Sequence, residues 1–258
     1  MLALVDDATQ KAPGLVSAKA ELASMLTGWA EHSGLGKDHR SRALETARQA
    51  VQLNPASAQA QRALGYSASA LGLQAQARGA FSRAIQADPM DADTFYLASQ
   101  AFFCSGDRRT ALVMAERSAA LRPTDYRPTY LAARAAQGLG DVRRAHRNAQ
   151  LCRDVTRQRL TSAGPEPRVV STHRVVSAML GPLPDTTLLD AVREGEPAYF
   201  YDAATLLHAG EVGAAIDKIA ELLDTGWRYM SYLRTDPLHA QLADHRRYRK
   251  LIDRLGPD

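Results

Sequence analysis

The chain is poor in the residues and patterns on which most secreted proteins and enzymes depend. It has two cysteines in 258 residues, Cys104 and Cys152. Both fall inside helical patterns and imply no disulfide framework. They lie 48 residues apart with no histidine at ligand spacing, and the seven histidines (His32, His39, His146, His173, His208, His239 and His245) form no His-Glu-x-x-His pair. No metal motif is legible in that arrangement. A glycine-rich phosphate loop is missing, and Ser162 and Ser171 lack the context of a nucleophile elbow. No apolar stretch approaches the roughly 18 residues of a membrane span. The start, MLALVDDATQKAPG, carries two aspartates where a secretory signal needs a basic region and an apolar run. These absences predict a cytoplasmic chain, or a piece cut from a longer protein, with no catalytic residues, no metal and no cofactor.

What is present is alanine and a period. Aromatic residues make up 6% of the chain and apolar residues 45%, which suits helices that approach closely through small side chains and bury a sizeable shared core. Pro55, Pro89 and Pro123 stand 34 residues apart, and Ala43, Ala77, Ala111 and Ala145 keep the same spacing, as do Gly72, Gly106 and Gly140. Glycine accepts positive φ at a tight turn, and the aspartates that follow Gly106 and Gly140 can cap the next helix.

A 34-residue unit with a mid-unit glycine, a small residue five later and a closing proline resembles a tetratricopeptide repeat (TPR). The resemblance implies an all-α fold: a right-handed superhelical solenoid of about six helix pairs with a C-terminal capping helix. The best unit is 58–91, with Leu64, Gly65, Ala68, Gly72, Ala77, Phe81 and Ala84 in phase. Units 92–125 and 126–160 follow. An irregular first unit, 15–57, carries eight extra residues around Gly28–His39, read as a decorated turn or as two lengthened helices. Beyond Leu160 the register breaks. A linker at 162–167 leads into a degenerate unit over 161–197, with a short second helix expected at Thr187–Glu194. Regular phasing returns in 198–258, a last unit and cap, so the whole of 1–258 reads as one solenoid. The tail, from Gly226-Trp-Arg through Leu233-Arg-Thr-Asp-Pro237, is similar to the end of the TPR region in bacterial multidomain proteins that carry winged-helix, cyclase or kinase domains. Asp244-His-Arg-Arg-Tyr248 replaces the second Asp-Pro of that pattern.

In TPR proteins the first helix of each pair lines the concave surface. The resemblance therefore implies a binding groove made by Gln59, Arg62, Tyr66 and Ser69, by Asp93, Tyr96, Gln100 and Phe103, and by Arg127, Tyr130, Arg134 and Gln137. Tyrosine and arginine are enriched in binding hot spots. Core packing competes evenly for Phe103 and less well for Tyr66 and Tyr96, whose hydroxyls need a partner. The carboxylate clamp of chaperone-binding relatives is not present: Arg62 and Arg127 match it in kind, but Tyr66, Leu97 and Leu131 fill its other places.

Charge is uneven. Residues 101–160 hold twelve arginines against five acids, while 161–258 hold eleven basic residues against fourteen acidic ones. The arginine band could attract an acidic partner or a phosphate backbone, or it is a solvated convex face. The expected partner is a peptide or protein segment, acidic in part, with neither membrane nor nucleic acid. Two alternatives stay open. One is a self-assembling scaffold using edge or convex surfaces, for instance near Trp227, Tyr229 and Tyr232. The other is nucleic-acid binding through the arginine band. Oligomeric state is not legible.

Overall fold

The computed structural model describes residues 11, 14–32, 37–181, 200–225, 233 and 235–254. Among these, every regular element is helical. The helices are α1 (Val16–His32), α2 (Lys37–Leu53), α3 (Ala58–Ala70), α4 (Gln74–Ala87), α5 (Ala92–Cys104), α6 (Arg108–Leu121), α7 (Tyr126–Gly138), α8 (Val142–Ala163), α9 (Pro167–Leu180), α10 (Phe200–His208) and α11 (Val212–Asp224). A 3₁₀ turn, Pro237–Leu242, and α12 (Arg246–Arg254) complete the chain. The expected helix at Thr187–Glu194 and the aromatic patch at Trp227, Tyr229 and Tyr232 lie outside the described residues.

The 34-residue period maps onto repeated local chemistry. Ser57, Asp91 and Asp125 are N-caps of α3, α5 and α7, and each side chain accepts a backbone N–H of its own helix. Asp107 and Asp141 do the same for α6 and α8, bonding Thr110 N and Arg144 N. Such a cap stabilises a helix by about 1 kcal/mol. Between the two helices of a pair the chain turns on Gly72, Gly106, Gly140 or Gly210, each with φ between +70° and +83°. Any other residue there would be strained. A side chain at one repeat position also ties two successive pairs together internally: Ser118 Oγ donates to Ala92 O at 2.8 Å, and 34 residues on Cys152 Sγ donates to Tyr126 O at 3.4 Å.

The first helix pair settles where the extra residues go. Helices α1 and α2 each run 17 residues, against 13 and 14 in α3 and α4. The added length lies in the helices themselves. Thr27 and Ser67 bond across the inter-pair contact at 2.8 Å, and both are fully buried.

Packing within the pairs runs through small residues. Ala43, Ala47 and Ala50, then Ala77, Ala80 and Ala84, then Ala111 and Ala115 are all buried. At Gly65 the approach is closest: a Cβ there would stand 2.9 Å from the Phe81 ring. Phe81 in turn meets Phe102 of the next pair, ring centroids 6.3 Å apart. One continuous core thus threads α1 to α8, a second lies between α7 and α10, and a third joins α10, α11, the 3₁₀ turn and α12.

First helices of successive pairs pack on one another, α1 on α3, α3 on α5 and α5 on α7, while second helices splay apart. That asymmetry bends the stack and puts α1, α3, α5 and α7 on the inner side. We expect Gly65→Ala to lower unfolding free energy by about 1–3 kcal/mol, as overpacking does. Phe81→Leu added to it should recover part of that loss, and urea unfolding of both variants is the check.

Candidate interaction surface

The inner side is open at one end and filled at the other. The filled part holds the chain's own tail. Arg134, on the inner face of α7, pairs through Nη2 with Asp236 Oδ2, and the two side chains are 3% and 1% exposed. Asp236 also caps the 3₁₀ turn through Leu238 N at 3.0 Å. Arg108 Nη2 donates to Thr235 O at 2.9 Å. Pro237 sits directly over Gly138, so close that a Cβ at 138 would overlap both Pro237 and the Arg108 side chain. Above Arg134 the Phe103 and Tyr130 rings stack within cation–π range, at 5.0 and 5.2 Å from the guanidinium carbon to the ring centres. Tyr130 meets Tyr201 of α10 edge-on, 4.7 Å between centroids.

This arrangement corrects the groove read from the sequence. Phe103 is fully buried, Tyr130 and Arg134 are each 2% exposed, and Tyr66 is 7% exposed within the core of α1–α4. All four are turned into the protein's own interior. The superhelix curls tightly enough for α10 and the Thr235–His239 segment to fill its inside at α7, and the lengthened first pair covers Tyr66. A 34-residue pattern carries no information about either contact, since it describes how neighbouring units pack and not which distant segment returns to lie on α7 or α3.

The remaining residues stay partly open and are tied together. Arg62 Nη1 bonds Asp91 Oδ2 at 2.6 Å. Asp93 receives both Nη atoms of Arg122, at 2.7 and 3.2 Å, and this pairing holds its carboxyl below the usual range. Gln100 Nε2 donates to the Tyr96 hydroxyl at 3.0 Å. The Arg127 guanidinium lies 4.8 Å over the Tyr96 ring and bonds Asp125, which pushes its own pKa up. Gln59 and Ser69 are half-buried and Gln137 is exposed. The open strip is therefore Gln59, Arg62, Asp93, Tyr96, Gln100 and Arg127, along α3 and α5 and the start of α7.

The arginine band is largely spent. Arg122 pairs with Asp93 at 2.7 Å, Arg144 and Arg147 both hold Glu116, and Arg117 lies 5.8 Å over the Phe95 ring. Arg78–Asp107, Arg144–Glu116 and Arg147–Glu116 each bridge adjacent units, with partners 29, 28 and 31 residues apart. Cys152 is buried and its thiol is pushed up to about 12 by burial, so it is inert at neutral pH. Cys104 is half-buried against the main core. Among the described residues no group of three His, Cys, Asp or Glu side chains could hold a metal ion. No described helix is long and apolar enough to cross a membrane.

No family model matches the chain, and no curated protein matches it either. Solved structures do. The chain is similar to pilF of Pseudomonas aeruginosa, at 12% identity and a TM-score of 0.52, over 93% of this chain and 99% of that one. It is similar to the human IFIT1 dimer solved with PPP-AAAA, at 16% identity and a TM-score of 0.53, over 97% and 60%. It is also similar to MamA, at 18% identity and a TM-score of 0.50, over 62% and 89%. These likenesses, with the 34-residue helix pairs, show an all-α TPR-type solenoid.

Two predictions come from the filled section. Asp236→Asn leaves the Arg134 charge buried without its counter-ion and should cost about 3–5 kcal/mol; Arg134→Met added to it should restore part, by guanidinium unfolding. Burial, reinforced by the Arg134 charge, lowers His208 to about 4 and His239 to about 3. Both histidines are neutral when folded and take up a proton when unfolded below the ordinary value of 6.5. Stability should be full above that pH and fall steadily as the pH drops toward about 4. His239→Gln should flatten the slope, measured by denaturant titration across that range.

Proposed function

We propose that the chain is a non-catalytic interaction module that holds a peptide or an extended protein segment along the open strip of its inner face. The observation that carries this is the Tyr96–Gln100–Arg127 group. An aromatic ring, an amide and a guanidinium stand partly exposed together on the concave side, where helix spacing is fixed by the buried alanines. Tyrosine offers contact area at low entropic cost, and a guanidinium over its ring is already oriented. Arg62 and Asp93 flank the group with opposite charge, so the strip suits a segment of mixed polarity with at least one acidic residue. The filled section at α7 gives the strip a closed end and holds the inner face in one curvature.

On the same reading the module works in the cytoplasm as the sensing part of a larger bacterial regulator, in keeping with its tail pattern. Nucleic acid is the less favoured occupant. A phosphate backbone needs a continuous positive track, and here Asp91, Asp93, Asp107, Glu116 and Asp125 interrupt it through their pairs with the arginines.

Screening an array of peptides of varied charge against the purified chain tests the reading. Peptides it retains should bind Tyr96→Ala/Gln100→Ala at least about tenfold more weakly, as loss of a hot spot does. Far-ultraviolet circular dichroism should be unchanged. Equal retention by the double variant would place binding elsewhere.

A further inference from the structure

A cavity of about 320 Å³ opens beside the strip, walled by Arg122, Thr124, Asp125, Tyr126, Arg127, Arg159, Glu166 and Arg168. Four guanidiniums face two carboxylates, which leaves its walls with a net charge of +2. The guanidiniums are not equally engaged. Arg122 is committed to Asp93 and Arg127 to Asp125. Arg159 is ion-paired with Glu166 more loosely, at 3.7 Å, with its guanidinium 5.7 Å over the Tyr126 ring. Arg168 is exposed and makes no ion pair or side-chain hydrogen bond among the described residues.

The backbone adds to this. Two helices begin at the cavity. Asp125 caps α7 by accepting Arg127 N, so the carboxylate serves that helix. At α9 the N-cap residue is Glu166, which makes no side-chain cap, and Pro167 takes the first position. The amides of Arg168 and Val169 thus have no intrahelical acceptor, and they carry the positive end of the helix dipole. An exposed guanidinium, a loosely paired one and uncapped amides converge on one concave space. That is the chemistry of a compact oxyanion site.

We propose that this cavity binds a phosphomonoester carried on a partner protein, with Arg159 and Arg168 as its chief donors and the start of α9 completing the cradle. Asp125 and Glu166 on the rim make the site selective for an isolated dianion. They repel the neighbouring phosphates of an extended nucleic-acid strand while leaving room for one phosphorylated side chain. Arg127 belongs both to this cavity and to the open strip, so a peptide lying on Tyr96 would bring a phosphorylated residue here. The cavity's own affinity for phosphate does not require that a peptide follow the strip.

The test uses the full chain and nuclear magnetic resonance of its backbone amides and arginine Nε–H groups. Inorganic phosphate at millimolar concentrations should shift the Arg168 and Val169 amides saturably. Arg159→Gln and Arg168→Gln should each weaken this by about tenfold, the loss expected for one charge-assisted hydrogen bond. Arg78→Gln, which removes a guanidinium paired with Asp107 outside the cavity, should leave it unchanged. A capped phosphoserine peptide should bind more tightly than inorganic phosphate, and its unphosphorylated form should not shift these amides. No saturable shift with phosphate, or equal affinity in both arginine variants, overturns the site. Tighter binding of a 5′-phosphorylated oligonucleotide than of the phosphopeptide overturns the protein partner.

Discussion

Close approach of two helices is the constraint on which this molecule rests. A pair of 13- or 14-residue helices is too short to be stable alone in water. It holds only because alanine or glycine at the crossing lets the backbones come near, and because the next pair covers what the first leaves bare. Phe81 shows how the two requirements meet. Its ring fills the space above Gly65 and reaches Phe102 in the following pair. Large side chains are few, and those present are placed where one pair hands its apolar face to the next.

Curvature is the next consequence. With first helices in contact and second helices splayed, the stack bends inward, and by α7 it has bent enough to meet its own continuation. What it meets is charged. Arg134 and Asp236 are both almost wholly out of water, and in that setting a carboxylate–guanidinium pair adds little net stability while either partner alone would be costly. The pair therefore acts chiefly as a selector: other ways of docking the tail on α7 would strand a charge. Gly138 reinforces the choice, since only glycine leaves room for Pro237.

Much of the fold was legible because a repeat writes the same local chemistry several times. Caps at Asp91 and Asp125, turns at Gly106 and Gly140, and small residues at Ala77, Ala111 and Ala145 each have a local cause, and each recurs. The candidate site was legible only in part. Tyr96, Gln100 and Arg127 stand where the repeat pattern puts them, half open. Tyr66, Phe103, Tyr130 and Arg134 occupy equivalent repeat positions and are buried, because what covers them comes from outside the period: a lengthened first pair, α10, and the Thr235–His239 segment. A sequence pattern states which face of a helix is apolar or polar. It does not state which distant segment will lie against that face, and Asp236 carries no signal of its partner.

The link between α7 and Asp236 also alters how the chain can reach its native state. An open array of pairs has only neighbour contacts and can fold from any point and spread, with low loop-closure cost. Joining Arg108 to Thr235, 127 residues along the chain, adds a contact whose entropy of closure must be met before it gives anything back. Assembly is thereby given an order, with the central pairs first and the closure last, and the late step makes the middle and the C-terminal part of the array rise and fall as one cooperative unit.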